Sequence, residues 1–573
     1  MATTGCLLLA IAFFTYTSNS VCDGKPNIVV LIADDLGYGD IGCYGNTSLS
    51  TPALDGLARD GARLTHHLST ASVCTPSRAA LLTGRHQMRS GMAPISNIRV
   101  NFWLAARAGL PASEITFAEL TKQAGYTNAL IGKWHMGISR DSFGDHLHHP
   151  LNQGFDHFYG LIGTNFDDFA DDGHKIVLKQ TPYFNYQWLS TWMIIAMCAY
   201  CLYRTKHING ILFSIVVIMA TIVCGYPCFV FNNLLLLNSM IHRNFKVVEQ
   251  PIRHVGLSKR LVHEGLQFMK NATVSGKPFL LVMSFVHVHT AIKVSREFEG
   301  SSSHGVYGDA VQELDWSVGQ ILDQLDVTGQ RNNTLVYFVS DHGGHVELGS
   351  LGGYNGVFKG GKTHGAPEGA IRVPGLFRWP GIVPAGRVLD QPVSMMDLFP
   401  TIARVAGVPL PADRLIDGVD ILPLLQGHTE AAPHEFMFHY CGNKLHATRY
   451  IPNTGKHVWK WVTHLPRYKP GSHACRFGCT CGDAVELPMP HLYDVTTDPA
   501  ESAPVPPDKP IYEHIRRLVS AAVNEHRDSL APVESQFSAR NVLWRYSLQD
   551  CCQGVFPFNC SCLDTVFPES FYA

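Results

Sequence analysis

Three short apolar runs rich in β-branched residues break off abruptly into polar ones. Asn27 to Ala33 ends in Asp34-Asp35, Phe279 to Val286 in His287-Val288-His289, and Thr334 to Ser340 in Asp341-His342-Gly343-Gly344. Runs that are apolar at nearly every position, rather than at alternate ones, predict strands buried on both faces, as in a parallel sheet. In open parallel sheets ligands bind beyond the carboxyl ends of the strands, so these distant polar clusters are expected to meet. Apolar residues at three- and four-residue spacing predict helices over Thr51 to Gly61 and Gly308 to Leu325, giving an α/β architecture with helices on both faces. Beyond about Ala431, short alternating segments (Glu435 to Tyr440, Lys444 to Ile451, His457 to Thr463) predict a smaller antiparallel sheet. The tail after Pro532 carries no pattern beyond its cysteines.

A different pattern interrupts this one. Phe184 to Tyr203 has no charged residue, and after Arg204, Lys206 and His207 a second uncharged run extends from Ile208 to Ile241. Each is long enough to cross a bilayer core, which takes about 20 apolar residues as a helix. Trp188, Trp192, Tyr200 and Tyr203 supply interfacial aromatics, and the basic turn suits a cytosolic tip with luminal flanks. A transmembrane hairpin in contact with membrane lipid is therefore expected, the alternative being a pair of buried core helices. Gly225 and Pro227 mark a possible break in the second run. The apolar stretch 6–14, followed by small and polar residues to Ser20, reads as a signal peptide. Asn46, Asn271, Asn332 and Asn559 head glycosylation sequons, in keeping with the secretory pathway.

At 573 residues the chain exceeds the size at which one core stops growing. Lys+Arg 45 against Asp+Glu 47 excludes a nucleic-acid partner held by a broad basic field. Histidine is plentiful, and its abundance alone assigns nothing. Of 16 cysteines, Cys6 lies in the signal and Cys198, Cys201, Cys224 and Cys228 lie in the apolar region. Cys475, Cys479 and Cys481, then Cys551, Cys552, Cys560 and Cys562, cluster late in the chain. Disulfides in an oxidising compartment suit them better than zinc, because the spacings lack paired Cys-x2-Cys knuckles.

The most specific chemistry lies at Cys74-Thr-Pro-Ser-Arg78, continued by Ala-Ala-Leu-Leu-Thr-Gly-Arg85. This run resembles the signature of the sulfatase family, in which the cysteine is oxidised to formylglycine. Gly132-Lys133-Trp-His135-Met-Gly137, Gly360-Gly-Lys362 and Glu368-Gly-Ala-Ile-Arg-Val-Pro374 match further blocks of that family. The resemblance runs from about Pro26 to Glu501, apart from the hairpin. The hairpin is similar to that of the branch containing steryl-sulfatase and arylsulfatases D, E, F and H. It implies an alkaline-phosphatase-like sulfatase fold with a smaller C-terminal antiparallel-sheet subdomain and an inserted transmembrane helical hairpin. The expected units are a signal peptide (1–20), a catalytic domain in two parts (21–183 and 242–430), the hairpin (184–241), the C-terminal subdomain (431–530) and a Cys-rich tail (531–573).

The same resemblance implies a sulfuric ester hydrolase acting on aryl or steryl sulfates. Its cofactors would be one calcium ion and a formylglycine derived from Cys74, installed by a formylglycine-generating enzyme during biosynthesis. A thiol is a soft nucleophile, whereas one hydroxyl of an aldehyde hydrate can attack sulfur and the other can later expel the sulfate. The acidic strand ends independently call for a hard cation, since neighbouring carboxylates repel one another without one. By resemblance, Asp34, Asp35, Asp341, position 74 and His342 hold it. Other members often place Asn or Gln where His342 stands. Imidazole is an unusual calcium ligand, so contact with sulfate or aldehyde is the alternative for His342. Lys133, Lys362 and calcium would hold the sulfuryl oxygens, and Arg78 would steady position 74. His289 or Lys362 would protonate the leaving oxygen, His135 would act as base in the release step, and His287 would be structural. The expected substrate is a small amphiphilic sulfate ester, and the expected location a secretory-pathway membrane with a luminal catalytic domain: endoplasmic reticulum first, Golgi or lysosome as alternatives. A phosphoesterase of the same superfamily and a silent membrane-anchored glycoprotein are the competing functions.

Overall fold

The computed structural model describes residues 24–95, 99–165, 176–453, 456–475, 479–554 and 560–572. The expected signal peptide and the Asn559 sequon lie outside the described residues. The three expected parallel strands form the middle of a ten-stranded sheet. Asn27–Ala33 pairs in parallel with Thr334–Ser340 on one side (Ala33 opposite Ser340) and with Phe279–Ser284 on the other (Ile32 opposite Ser284). Thr127–Gly132 follows, parallel to Phe279–Ser284, and then His157–Leu161. All seven residues of Asn27–Ala33 and of Thr334–Ser340 are buried, which accounts for their unbroken apolar runs.

The sheet is mixed rather than wholly parallel. Gly375–Arg378 runs antiparallel between Thr334–Ser340 and Ala62–Leu64, and Arg387–Leu389 closes that edge. At the other edge Ile241–Arg243 and Lys246–Glu249 form a hairpin. Its connection holds two residues, with Asn244 in the left-handed region at φ 55°, and so short a link permits only antiparallel pairing. Side chains alternate between two cores. Ile28, Val30 and Ile32 join Leu82, Phe117, Leu120 and Phe399 beneath helices Cys74–Thr83, Phe117–Gln123 and Leu398–Ala406. Val29, Leu31 and Ala33 face Leu54, Leu261, Leu314 and Val318 of helices Pro52–Arg59, Leu257–Ser275 and Gly305–Val327.

Helix Ile176–Arg204 and helix Gly210–Asn232 lie side by side, with Trp192 Nε1 donating to Thr221 Oγ1 at 2.9 Å. Gly210–Asn232 is the one described helix long and apolar enough to cross a bilayer, and only 11% of its most apolar 18-residue stretch is buried. Met197, Ile211 and Ile218 point outward at 67%, 75% and 58% exposure, which removes the core-helix alternative. The second helix continues through Pro227 and ends at Asn232.

The C-terminal sheet orders Phe436–Cys441, Lys444–Tyr450, Trp459–Leu465 and Val485–Asp494 antiparallel. Helix Pro510–Asp528, which the sequence patterning did not suggest, covers it through Tyr512, Ile515 and Val519 against Trp461 and Leu492. Disulfides join Cys441 to Cys481, Cys475 to Cys479, Cys551 to Cys560 and Cys552 to Cys562. A buried charge cluster ties this sheet to the catalytic unit. Glu368 meets Arg449, Lys460 Nζ (2.7 Å) and Arg372 Nη1 (3.4 Å), and Lys460 also reaches Glu501 at 2.8 Å. Burial alone would raise the Glu368 carboxyl, but Arg449, Lys460 and Arg372 hold it well below the ordinary range. A depressed carboxyl contributes stability above its unfolded pKa, about 4.3, and that contribution is lost as pH falls towards the folded value. Glu368→Gln, which leaves buried cations uncompensated, should cost about 3–5 kcal/mol in urea unfolding at neutral pH. Its stability should also fall less steeply than wild type below about pH 4.

Candidate active site

Helix Cys74–Thr83 begins under the strand ends, and all ten of its residues are buried. Cys74, Ser77 and Arg78 stand at i, i+3 and i+4, so the motif spacing puts them on one face. Ser77 Oγ donates to Asp341 O at 2.5 Å, and Arg78 Nε donates to Asp341 Oδ2 at 2.9 Å. Arg78 Nη1 donates to Ser284 Oγ at 2.6 Å, and Ser284 Oγ donates to Lys133 O at 2.6 Å. The signature helix is thereby bolted to three strands at once.

Every site residue expected from sequence lies in this cluster. Asp34 and Asp341 follow directly from adjacent strands, with Asp34 Oδ1 3.7 Å from Cys74 Sγ and 3.4 Å from Arg78 Nη2. Lys133 Nζ donates to Asp34 Oδ2 at 2.7 Å, and Lys362 Nζ reaches both oxygens of Asp35 at 2.7 Å. His289 Nε2 stands 3.8 Å from Asp35 Oδ2. Three of the segments reverse sharply, with Asp35, His135 and Thr363 at φ 63°, 64° and 74°. Non-glycine residues in that region are strained and persist only where the surroundings over-determine them. Gly132, at φ 113°, admits no side chain: a Cβ there would lie 1.8 Å from Ser284 O. That close approach lets Lys133 N donate to Ser284 O at 2.8 Å.

Oxygens of Asp34 and Asp35, Cys74 Sγ and a His342 nitrogen lie within 4.8 Å of one another, all buried. Asp341 stands beside this group, with Oδ1 3.6 Å from His342 Nε2 and Oδ2 held by Arg78. His342 Nδ1 donates to Gly343 O at 3.0 Å, which turns Nε2 towards Cys74 Sγ and Asp35 Oδ1, each at 3.3 Å. Burial alone would lower the His342 pKa, but Asp341, Cys74 and Asp35 raise it to about 9. So strong a pull on a buried imidazole marks a spot that demands positive charge, which a cation can supply in place of a proton. The carboxylates favour a hard metal, so the donor set fits a divalent cation. Cys74 Sγ occupies the position that an oxygen of the formylglycine hydrate would take.

Burial would raise the Asp34 carboxyl too, yet Lys133, His289, Arg78 and Lys362 hold it far below its ordinary range. Asp35 is likewise depressed, against burial, by His289, Lys362 and His342. Burial lowers His289 to about 4, aided by Lys362 and Lys133 against the raising pull of Asp35 and Asp34. His135 is driven well below its usual value by burial first, then by Lys133 and Arg78. Its Nε2 donates to Asn101 O at 3.1 Å, so Nδ1 carries the lone pair, and that atom is buried without a partner. Arg78 Nη2 is also buried without a hydrogen-bond partner. Two such orphans beside position 74 suit a site that receives further oxygen atoms. His287 turns away, to Ser258 and to Glu313 Oε2 at 3.2 Å.

Ser284, Asn101 and His345 belong to the site without having been singled out in the sequence. Strand Phe279–Ser284 stops two residues short of the expected run to Val286, so Ser284 reads as strand interior, whereas Asn101 acts through its carbonyl, which no side-chain pattern reveals.

Carboxylates, cations and a nucleophile position gathered at the carboxyl edge of this sheet define an ester hydrolase of the alkaline-phosphatase-like fold. A family model described as Sulfatase matches residues 26–408, and one described as the C-terminal region of aryl-sulfatase matches 432–562. The chain belongs to the sulfatase family and is a sulfuric ester hydrolase. It is 44% identical to arylsulfatase D of Homo sapiens over 94% of this chain and 92% of that protein. It is 43% identical to steryl-sulfatase of Homo sapiens over 96% of each. Among solved structures it is similar to the PsFucS1 sulfatase from Pseudoalteromonas sp., with TM-score 0.69 and 25% identity over 89% of this chain and 92% of that one. Membership implies a bound metal ion and a formylglycine. These relatives and the exposed apolar helix are compatible with a membrane-associated protein of the secretory pathway.

Lys362 competes with a cation for both oxygens of Asp35. Lys362→Met should therefore bind a divalent cation more tightly than wild type, by about tenfold for one such charge removed, in a thermal-shift titration. The same variant should lose about 100-fold or more in turnover of an aryl sulfate.

Proposed function

We propose that this chain hydrolyses sulfate esters of amphiphilic alcohols and phenols at a luminal site, in the endoplasmic reticulum membrane, with a formylglycine derived from Cys74 and one calcium ion. The observation that carries this is the buried gathering of Asp34, Asp35, position 74 and His342 within 4.8 Å, ringed by Arg78, Lys133 and Lys362. Calcium suits it because mixed, irregular ligand geometry is tolerated by that ion better than by magnesium. Bound calcium supplies fixed positive charge against the sulfuryl oxygens. The formylglycine hydrate supplies an attacking hydroxyl and, on the same carbon, a second one that allows release.

The remaining work falls to side chains. Lys133 and Lys362 exchange part of their contact with Asp34 and Asp35 for the sulfuryl oxygens, where negative charge accumulates in the transition state. Arg78 holds the oxygens at position 74. His289 or Lys362 gives a proton to the departing oxygen. His135, with its lone pair on the buried Nδ1, takes the proton that must leave position 74 in the release step.

The hairpin at 184–241 divides the catalytic unit into 21–183 and 242–430, ahead of the sheet subdomain at 431–530 and the tail at 531–573. Both helices of the hairpin enter the membrane, so a lipid-like ester reaches the site without first leaving the bilayer. Oxidation of Cys74 falls to a formylglycine-generating enzyme during biosynthesis. Detergent-solubilised protein should hydrolyse a small aryl sulfate and a steryl sulfate but not the matching phosphate esters. Release of phosphate at a comparable rate would overturn the assignment. Cys74→Ser should retain about one equivalent of sulfate per chain from labelled substrate, with turnover down about 1,000-fold or more, because its carbon bears a single hydroxyl.

A further inference from the structure

Exposure rises along one direction through the site. Cys74 and Lys133 are 1% exposed and His342 is fully buried, while the side chains of His289 and Lys362 are each 10% exposed. His345, which lies within the electrostatic reach of Lys362, Asp35 and His289, is more exposed still, at 25%. Displacement at a tetrahedral sulfuryl centre runs in line, so a nucleophile at the closed end sends the leaving oxygen towards the open end. A rim side chain within the electrostatic reach of Lys362, Asp35 and His289, as His345 is, is the candidate for the leaving-group side.

The fold holds this residue in place. Strand Thr334–Ser340 ends in the metal-facing Asp341 and His342, and the chain then climbs through Gly343 and Gly344 to His345. Gly344 O accepts from Lys362 N at 3.0 Å, so His345 follows directly on the backbone contact that fixes Lys362. Gly344 has room for no side chain, since a Cβ there would lie 2.6 Å from Gly353 Cα. Behind the ring, Glu347 Oε2 stands 3.7 Å from His345 Nε2, while Glu347 Oε1 meets His364 Nε2. His364 Nδ1 in turn accepts from Gly361 N at 3.2 Å, one residue before Lys362. One carboxylate thus steadies, through His364, the segment that carries Lys362 and stands beside the rim imidazole. At 3.7 Å the Glu347 contact is electrostatic rather than a hydrogen bond, and neither ring nitrogen of His345 has a hydrogen-bond partner among the described residues. The ring is uncharged as well: burial lowers it to about 3, aided by Lys362 and His289 against Asp35 and Glu347.

We propose that His345, beside Glu347, is a further substrate-contacting residue that donates a ring N–H hydrogen bond to the bridging ester oxygen as the S–O bond breaks. The electron pair of that bond goes to the departing oxygen, which takes its proton from His289 or Lys362, and His345 stabilises the charge that develops before the proton arrives. A neutral imidazole suits this, because it adds a directed N–H without a second full charge beside Lys362. The inference rests on the hydrolytic function proposed above and deepens it. The demand for such a donor is greatest where the leaving oxygen is most basic, so His345 favours alkyl and steryl sulfates over activated aryl sulfates.

The test compares wild type, His345→Phe and His345→Gln on a steryl sulfate and on a nitrophenyl sulfate. His345→Phe should lose about 30-fold or more in kcat/KM on the steryl ester and about 3-fold or less on the nitrophenyl ester. Its leaving-group dependence should steepen accordingly. His345→Gln, which keeps a neutral N–H, should recover much of the steryl activity. Equal losses on both esters, no loss on either, or failure of His345→Gln to outperform His345→Phe would each overturn the proposal. Should one variant fail to fold, the other still gives the ratio of the two esters against wild type. A wild-type protein that cleaved neither ester would instead overturn the hydrolytic function on which the proposal stands.

Discussion

Like charges forced together at neighbouring strand ends are the constraint on which this molecule depends. Asp34 and Asp341 are placed side by side by the register Ala33 opposite Ser340, and Asp35 follows within the same buried corner. Three carboxylates removed from water would not remain ionised there by themselves. Against burial, Lys133, His289, Arg78 and Lys362 hold Asp34, and His289, Lys362 and His342 hold Asp35, below the ordinary carboxylate range. The cost of burying these groups is recovered only if the cations are accurately placed, which explains the strained turns at Asp35, His135 and Thr363. A cage of this kind is also electrostatically preorganised: its positive groups are fixed by their carboxylate partners before any anion arrives.

Much of this was legible in the chain because the central strands are buried on both faces. Unbroken apolar runs ending in Asp34, His287 and Asp341 mark strand termini, and parallel pairing carries those termini to one edge. The spacing of Cys74, Ser77 and Arg78 was equally informative, since a helix places i, i+3 and i+4 on one side. Other features left weaker traces. Gly375–Arg378 is a four-residue strand whose direction depends on its neighbours, so the sheet's antiparallel edge had no local signature. Helix Pro510–Asp528 buries only a narrow stripe, Tyr512, Ile515, Val519 and His526, in a region dominated by alternating segments. The partnership of Cys441 with Cys481 follows from the chain path, not from the spacing of cysteines. His345 and Glu347 drew no notice because a His-x-Glu triplet is commonplace, and only the fold aligns it with Lys362 through His364.

The hairpin and the site answer to different solvents. Gly210–Asn232 exposes apolar side chains that water would not tolerate over such an area, whereas the catalytic cluster is largely buried and charged. The two are joined through Leu104 and Asn238, whose side-chain oxygen accepts from Leu104 N at 3.2 Å, while Asn101, three residues earlier, carries the carbonyl that orients His135. The base of the hairpin thus abuts the wall of the active site.

Mass spectrometry of the tryptic peptide spanning residues 64–78, taken from the fractions of purified protein that cleave a sulfate ester, tests the central claim most directly. The account predicts an aldehyde at position 74, present in proportion to specific activity. Full activity in protein that retains an unmodified thiol there would contradict it.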